Sequence, residues 1–393
     1  MKLPSAALEE WMRKYYFAVE YDIGSSGVQN FSLAELRHLL AFTQDDLDRI
    51  VLRDSQTFGG AELRRAIAER WLPGREDRVL VTHGSSEANF LVMNTLLEPG
   101  DEVVVQDPSY PQLYAIAETI GCRLKHWPLR FENGFRPDLD EARKLIGPRT
   151  RMVVVNFPHN PTGATLAEEE QLELVRLVER MGAYLLWDAA FCELTYDRPT
   201  LPDPAVLYDR ALSLGTLSKA YGLPGLRVGW CLAAEELLER LVRMRDYMTL
   251  HLSPLVEFIA ERAIRGADRL VALRREQAYE NRSKVGEWVA ANRDLVEWVP
   301  PEGGVCAFVR FPHLADTTNL CHRLACEQKV LLVPGSCFLH PRYVRLGFGD
   351  SPEAVGQGLR RLSRLLPCPL SGSGETVASV PVPAPGRITT LSN

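Results

Sequence analysis

One lysine in a glycine- and proline-rich loop is well suited to covalent chemistry. Lys219 lies in SLGTLSKAYGLPGLRVGW (213–230), where an apolar run ends and the loop begins. A lysine amine attacks an aldehyde once burial near another cation has lowered its pKa. Arg227 offers a planar fork that suits a phosphate, and Thr216 and Ser218 offer hydroxyl groups. The alternative is a surface loop with an ordinary lysine and a structural arginine.

The elements around this loop alternate between apolar runs and amphipathic helical patterns. The runs are 78–83, 101–107, 151–157, 183–190, 211–217 and 227–233. Continuous Val/Leu runs between helices predict a mostly parallel sheet that is buried on both faces. Ligands of such sheets bind at the carboxyl ends of the strands. We therefore expect the chemistry of this chain at that edge.

The same periodicity predicts two domains. We expect an N-terminal segment over 1–45 that joins the small domain, and a large domain over 46–253. A connecting helix and a small α+β domain should follow over 254–366. The remaining segment, 367–393, is rich in Pro, Ser, Gly and Val, which predicts a disordered tail.

Composition argues against several classes of function. The formal net charge is −6 without a long basic run, which argues against nucleic-acid binding. No apolar stretch is long enough for a membrane span, and the acidic N-terminus does not resemble a signal peptide. We expect a cytoplasmic protein. The eight cysteines form no CxxC pair, so we expect reduced thiols and no metal site, even where Cys321 and Cys326 flank His322.

Further polar residues follow the other apolar runs. Ser85 and Ser86, in HGSSEA (83–88), open a helical pattern whose free N–H groups can bind an anion. Asp188 ends the run AYLLWD, and Asn160 lies in NFPHNPTG (156–163). Each has an ordinary alternative, such as a serine-capped helix, a turn aspartate or a plain proline turn.

The lysine segment resembles the signature of class I/II aminotransferases, Ser/Thr-x-x-Lys followed by Gly-x-Arg. The resemblance extends from about residue 20 to 366, with five motifs in the family's order. It implies the aspartate-aminotransferase-like α/β fold (fold type I), the cofactor pyridoxal 5'-phosphate (PLP) and a homodimer. Lys219 would hold the cofactor as a Schiff base and act as the catalytic residue.

The resemblance also implies roles for the remaining motif residues. The cofactor phosphate would be bound by Ser85, Ser86, Thr216, Ser218 and Arg227. The cofactor ring would be bound by Tyr110 through stacking, by Asn160 at its phenolic oxygen and by Asp188 at its pyridine nitrogen. Arg345, in YVRLGFG, would fork onto the substrate carboxylate; the alternative is a solvent-facing edge-strand arginine.

Two positions depart from the usual aminotransferase pattern. DAAF places Phe191 where many relatives have a tyrosine, so no hydroxyl can reach the cofactor's phenolic oxygen there. The segment LRDSQTFGG (52–60) lacks the tyrosine that in relatives reaches the neighbouring subunit's phosphate. The second departure puts that contact between subunits in doubt.

Several segments together resemble a smaller group, the PLP cyclases of antibiotic assembly: YDIGSSGV (21–28), VVVNFPHNPTGA (153–164), WDAAF (187–191), and LSLGTLSKAYGLPGLRVGWC (212–231) with RDYMTLHLSPLVE (245–257). These enzymes make capreomycidine, or the streptolidine of streptothricin, from a hydroxylated arginine. The resemblance implies Cα deprotonation, β-elimination of water and addition of the substrate's own guanidine. Gly24, Ser25 and Ser26 are candidate substrate contacts, together with Asn160 and Arg345. Candidate acids for the guanidinium are Glu20, Asp22 and Glu193. The alternatives are a true aminotransferase and a non-catalytic PLP-sensing module.

Overall fold

A computed structural model describes residues 4–367 of the chain. Its helices are α1 (Ala7–Tyr15), α2 (Leu33–Leu40), α3 (Gln44–Asp48), α4 (Ala61–Trp71), α5 (Gly84–Leu96), α6 (Ala115–Ile120), α7 (Leu139–Leu145), α8 (Glu168–Arg180), α9 (Glu235–Arg245), α10 (Pro254–Arg265), α11 (Ala267–Ala291), α12 (Thr318–Gln328) and α13 (Pro352–Ser363). Its strands are β1 (Tyr21–Asp22), β2 (Val79–Thr82), β3 (Glu102–Asp107), β4 (Arg123–Pro128), β5 (Thr150–Asn156), β6 (Tyr184–Asp188), β7 (Ala211–Thr216), β8 (Gly229–Leu232), β9 (Cys306–Arg310), β10 (Val330–Leu331), β11 (Val333–Pro334) and β12 (Tyr343–Gly347).

Seven strands form the large sheet, in the order β2-β8-β7-β6-β5-β3-β4. The pairs from β4 to β7 are all parallel, as the continuous apolar runs predict. β8 is antiparallel to both neighbours because the lysine loop before it contains no crossover helix. The carboxyl ends of β2, β3, β5, β6 and β7 therefore meet at one edge of the sheet. The α/β fold class is confirmed.

One strand of the large sheet is missing from the sequence-based prediction. β4 reads RLKHWP, and most of its side chains are partly or fully exposed at the edge of the sheet. Charged residues reduce its apolar pattern, so periodicity alone does not reveal it. Only Trp127 in this strand is buried, and its indole N–H donates to the carbonyl of Asp138 at 3.0 Å.

The smaller α+β unit contains a three-stranded antiparallel sheet in the order β11-β12-β9. The long helical stretch before it is two helices, α10 and α11, which meet at Gly266. The N-terminal segment contacts this unit, since β1 pairs in parallel with β10 and the Trp11 indole donates to the carbonyl of Leu332 at 2.9 Å. The domain boundaries stay a prediction, and the predicted tail lies outside the described residues from 368 onward.

Residues 4–367 contain neither a helix suited to cross a membrane nor a cluster of metal-binding side chains. No helix there is both long and apolar enough to cross a bilayer. No group of three or more His, Cys, Asp or Glu side chains in the same residues is arranged to hold a metal ion. Cys326 lies beside His322, with Sγ 3.6 Å from Nδ1, whereas Cys321 is buried in the core.

Candidate active site

The amine of Lys219 lies at the strand edge, in the loop after β7. Its Nζ donates to Oγ of Ser26 at 3.0 Å, which brings the N-terminal segment onto the lysine. Burial, reinforced by the nearby positive charge of Arg345, lowers the pKa of Lys219 to about 8. A lysine with this pKa has a substantial uncharged fraction near neutral pH, so it can act as a nucleophile and as a base.

Asp188 lies at the end of β6 and is buried. Its Oδ1 accepts a hydrogen bond from the backbone N–H of Ala190 at 3.0 Å. Burial raises the pKa of this carboxyl to about 6. An acid in that state is suited to share a proton with a ring nitrogen, which is the role predicted for Asp188 from its motif.

Asn156 is a positioning residue that sequence reasoning missed. Its side-chain amide donates to the carbonyl of Asp188 at 2.9 Å, and its Oδ1 accepts from the backbone N–H of Asn160 at 2.7 Å. The two X-Pro bonds of this loop, at Pro158 and Pro161, are cis. Asn156 thus fixes the loop that carries Asn160 relative to the buried acid. It is the first residue of NFPHNPTG, but nothing in the sequence shows where its amide points.

Arg345 projects from β12 into the same site and is 3% exposed. Its Nε donates to the carbonyl of Gly24 at 3.0 Å, and its Nη1 lies 3.4 Å from Oδ1 of Asn160. Within the described residues no bond engages Nη2. Arg345 is therefore a buried cation that is held in place with one N–H edge available, and the alternative of a solvent-facing arginine is wrong.

The residues expected to bind phosphate converge at the N-terminus of α5. Ser85 and Ser86 lie in its first turn, and Gly84 begins it with a φ of +74°. A Cβ at Gly84 would lie 2.7 Å from Nη2 of Arg227, so only glycine permits this approach. Ser218 Oγ accepts from Arg227 Nη1 at 3.1 Å. The result is a helix N-terminus beside a guanidinium, which suits a phosphate.

Thr216 completes this cluster. Its Oγ1 donates to Ser218 Oγ at 3.0 Å and also accepts from the backbone N–H of Ser218 at 3.1 Å. The hydroxyl groups of Thr216 and Ser218 and the guanidinium of Arg227 therefore form one connected hydrogen-bonded group. Thr216 lies at its buried end and Arg227 at its exposed end.

The segment over residues 23–29 passes between the lysine loop and β12. The backbone N–H of Gly347 donates to the carbonyl of Ile23 at 2.9 Å, and that of Gln29 donates to the carbonyl of Gly349 at 2.8 Å. A Cβ at Gly347 would clash with the carbonyl oxygen of Ser25, so the two backbones are in direct contact. Gly24, Ser25 and Ser26 are thereby held at the site.

Tyr110, in the loop after β3, is turned toward the N-terminal helix. Its hydroxyl donates to Oε1 of Glu9 at 3.0 Å. Burial and the Glu9 carboxylate raise the pKa of Tyr110, so the hydroxyl keeps its proton. Glu9 is a second residue that sequence reasoning missed, because an acidic side chain in the first turn of a helix is common and gives no signal of its own.

The three acids considered for the guanidinium are engaged elsewhere. Glu20 pairs with Arg361 at 2.8 Å. Oδ1 of Asp22 accepts the backbone N–H groups of Gly24 and Ser25, both at 2.8 Å. Glu193 is buried between Arg70 and the hydroxyl of Tyr221. All three carboxylates are therefore paired with groups of the protein itself.

Phe191 lies close to the lysine and is 2% exposed. The centroid of its ring is 5.9 Å from Nζ of Lys219, and the ring would be in van der Waals contact with a Cβ at Gly304. This position therefore supplies apolar packing next to the amine, without the hydroxyl that many aminotransferases have there.

The model of the aminotransferase class I and II family matches residues 37–362 of this chain. The chain belongs to this family. It is 48% identical over 367 residues to capreomycidine synthase from Streptomyces vinaceus, covering 93% of this chain and 94% of the relative. It is 31% identical to the arginine–pyruvate transaminase of Pseudomonas aeruginosa, over 78% and 80% of the two chains. The crystal structure of the PLP-dependent cyclase OrfR superposes with a TM-score of 0.89 at 44% identity, over 93% and 98%.

This family member is a PLP-dependent enzyme whose substrate is an amino acid. The strand edge has the chemistry that this cofactor needs. It provides a lysine of lowered pKa, a buried carboxyl, and a helix N-terminus beside Arg227. The individual cofactor roles of Ser85, Ser86, Tyr110, Asn160, Asp188, Thr216, Ser218 and Arg227 stay predictions that this arrangement fits.

The pKa of Lys219 gives a pH prediction for the cofactor-free protein. Only the uncharged amine attacks the PLP aldehyde, so we expect the rate of cofactor uptake to fall about tenfold per pH unit below about pH 8. The rate would be followed by the absorbance of bound cofactor. Arg345→Gln removes one cause of the lowered pKa and should move the break to higher pH. A wild-type rate that keeps rising toward the ordinary lysine pKa would contradict the prediction.

Proposed function

We propose that this enzyme is a PLP-dependent cyclase of antibiotic biosynthesis, which converts a hydroxylated arginine into a cyclic guanidino amino acid of the capreomycidine or streptolidine type. The observation that carries the proposal is the 48% identity to capreomycidine synthase over 93% of the chain. The similarity to the cyclase OrfR supports it at nearly the same coverage. Phe191, which cannot offer a hydroxyl to the cofactor, adds a departure from ordinary aminotransferases.

The residues of the site suit each part of this reaction. Arg345 binds the substrate carboxylate through its free N–H edge, and Asn160 and the backbone at Gly24 hold that arginine. PLP, when bound, delocalises the charge that develops at Cα. Lys219, hydrogen-bonded to Ser26, removes the Cα proton and later returns a proton to Cα.

The reaction balances without an oxidant or a second substrate. The Cα–H and Cβ–O bonds break, and the hydroxyl leaves as water. A guanidino nitrogen of the same molecule then bonds to Cβ and loses a proton, while Cα gains one. The product is lighter than the substrate by one water. Tethering the nucleophile can contribute about 7–11 kcal/mol when the geometry is ideal.

A second candidate function is amino-acid transamination. It is favoured by the 31% identity to the arginine–pyruvate transaminase, which covers 78% of this chain. A transaminase would convert the amino acid to a keto acid and leave the cofactor in its amine form.

Product analysis separates the two functions. The holoenzyme is incubated with 3-hydroxyarginine and with arginine, without an amino acceptor, and the products are identified by mass spectrometry. We expect a cyclic product lighter by one water from 3-hydroxyarginine, and no such product from arginine, which lacks the leaving group. Keto acid as the product from both amino acids would overturn the cyclase proposal.

We also propose that the enzyme is a homodimer. The segment that contains Leu52 and the segment that contains Tyr247 lie next to each other, and both expose apolar side chains to solvent. Leu52 is 76% exposed and Tyr247 is 93% exposed. The segments are adjacent because Arg245 donates to the carbonyl of Thr57 at 2.8 Å. Exposed apolar patches of this kind mark interaction surfaces, and family membership argues that a second copy covers this one.

Tyr247→Asp should weaken the dimer. A charge in the middle of an apolar interface costs at least about tenfold in the dissociation constant. Sedimentation velocity over a dilution series measures this change. The matched control is Val206→Asp, which places the same charge on another exposed apolar residue, and it should leave the dimer unchanged. Equal dissociation constants for both variants and the wild type would exclude this patch from the interface.

A further inference from the structure

The N-terminal helix carries a carboxylate into the active site. α1 is anchored on the small domain, because Leu8 is buried in a cluster with Phe338 and the Trp11 indole donates to the carbonyl of Leu332. Phe338 in turn lies under Arg345, with the guanidinium carbon 5.5 Å from the ring centroid. Glu9, the residue after Leu8, is thereby held next to Tyr110, whose hydroxyl it contacts at 3.0 Å.

Glu9 accepts a hydrogen bond from a neutral group but forms no ion pair within residues 4–367. Its Oε1 accepts the hydroxyl of Tyr110 at 3.0 Å, and no Lys, Arg or His within residues 4–367 pairs with it. Its charge reaches the reacting groups: burial lowers the pKa of Lys219, and the carboxylates of Glu9 and Asp188 offset a part of that lowering. A partly buried carboxylate is stabilised when a cation pairs with it, and a ligand can supply that cation to the unbonded oxygen.

The other charges of the site have different tasks. Asp188 lies at the end of β6, where the pyridine nitrogen is expected, and Arg345 is suited to the substrate carboxylate. Glu20, Asp22 and Glu193 are engaged in contacts within the protein. Among these acids and Glu9, all of them within residues 4–367, Glu9 is the one that can receive the far end of a cationic amino acid.

We propose that Glu9 is a specificity-determining residue that binds the guanidinium group of the substrate. The Tyr110 hydroxyl holds Oε1, and Oε2 is available to accept a charge-assisted hydrogen bond from the substrate. An amino acid held by Arg345 at one end and by Glu9 at the other would bring its guanidine near Cβ. The identity of the ligand as a guanidino amino acid rests on the proposed function.

The test compares two ligands of nearly equal shape and different charge. Arginine and citrulline are titrated into the holoenzyme, and binding is followed by the change in cofactor absorbance, so turnover is not needed. In Glu9→Gln we expect arginine to bind about 10- to 100-fold more weakly, the usual effect of losing a hydrogen bond between charged groups. Citrulline binding should stay within about twofold of the wild type, because a neutral urea gains little from a carboxylate.

The matched control is Glu10→Gln. Glu10 follows Glu9 on the same helix, but its side chain is 56% exposed and lies 4.0 Å from Arg13. Norleucine, which has no charged end group, serves as a check that the site of each variant is intact. Glu9→Gln with an unchanged preference for arginine over citrulline would overturn the proposal. So would an equal loss of norleucine binding, since that would show a purely structural role.

The outcome is separable from the test of the proposed function. If Glu9→Gln loses its preference for arginine but the wild type makes a keto acid, Glu9 binds guanidinium in a transaminase and the cyclase proposal falls. If the wild type closes the ring and Glu9→Gln keeps the preference, the cyclase proposal stands and Glu9 has no such role.

Discussion

Replacing Lys219 with alanine is expected to lower the rate of product formation by at least about 10³-fold, because under the proposed function one group supplies both the cofactor linkage and the Cα base. The structure supports this dual role through the amine's lowered pKa and its 3.0 Å hydrogen bond to Ser26. Product would be quantified by mass spectrometry, and the absorbance of the cofactor linked to the enzyme should be lost.

The matched control for this variant is Lys144→Ala. Lys144 lies in α7 and is exposed, so its removal should leave the rate and the cofactor absorbance unchanged. Thermal unfolding of Lys219→Ala would establish that the variant is folded. A Lys219→Ala enzyme that retains more than about a tenth of the wild-type rate would exclude Lys219 as the principal base.

Asp188→Asn is expected to lower kcat by about 10²–10³-fold, which is typical of losing one preorganised electrostatic group. The amide is nearly isosteric but cannot share a proton with the pyridine nitrogen, so less charge from Cα can be delocalised. The raised pKa of Asp188, about 6, shows that its surroundings favour a shared proton over an isolated buried anion. The rate is measured at saturating substrate and cofactor.

Asp203→Asn tests whether any buried aspartate would give the same result. Burial also raises the pKa of Asp203 to about 6, but its carboxylate accepts from Ser213 Oγ at 2.6 Å and from the backbone N–H of Ala205 at 2.9 Å. We expect this variant to lose stability and to retain kcat. A similar loss of kcat in both variants would contradict a cofactor role that is specific to Asp188.

Much of the site could be predicted from the sequence because its motifs follow strands. Lys219, Asp188 and Asn160 each come after an apolar run, and the ends of parallel strands meet at one edge. The antiparallel direction of β8 could not be predicted, because an apolar run looks the same in a parallel and in an antiparallel strand. β4 was missed because its exposed charges mask the apolar pattern.

The contacts between distant segments could not be predicted in this way. Glu9 reaches the site through the docking of α1 on the small domain, which depends on a hydrogen bond across 321 positions between Trp11 and Leu332. Glu193 was expected near the substrate, but its partners Arg70 and Tyr221 come from distant segments. The sequence shows that a residue is acidic, but it does not show whether its carboxylate pairs within the protein or stays available for a ligand.

Under the proposed function, the site closes a ring and regenerates its cofactor without an amino acceptor. Counting turnovers distinguishes this behaviour from transamination: a known amount of holoenzyme is incubated with excess 3-hydroxyarginine and no keto acid, and product molecules per active site are counted. We predict many turnovers, each giving a product lighter by one water, with the cofactor spectrum returning to its starting form. A single turnover that yields one keto acid per site and leaves the cofactor as its amine would overturn the cyclase proposal.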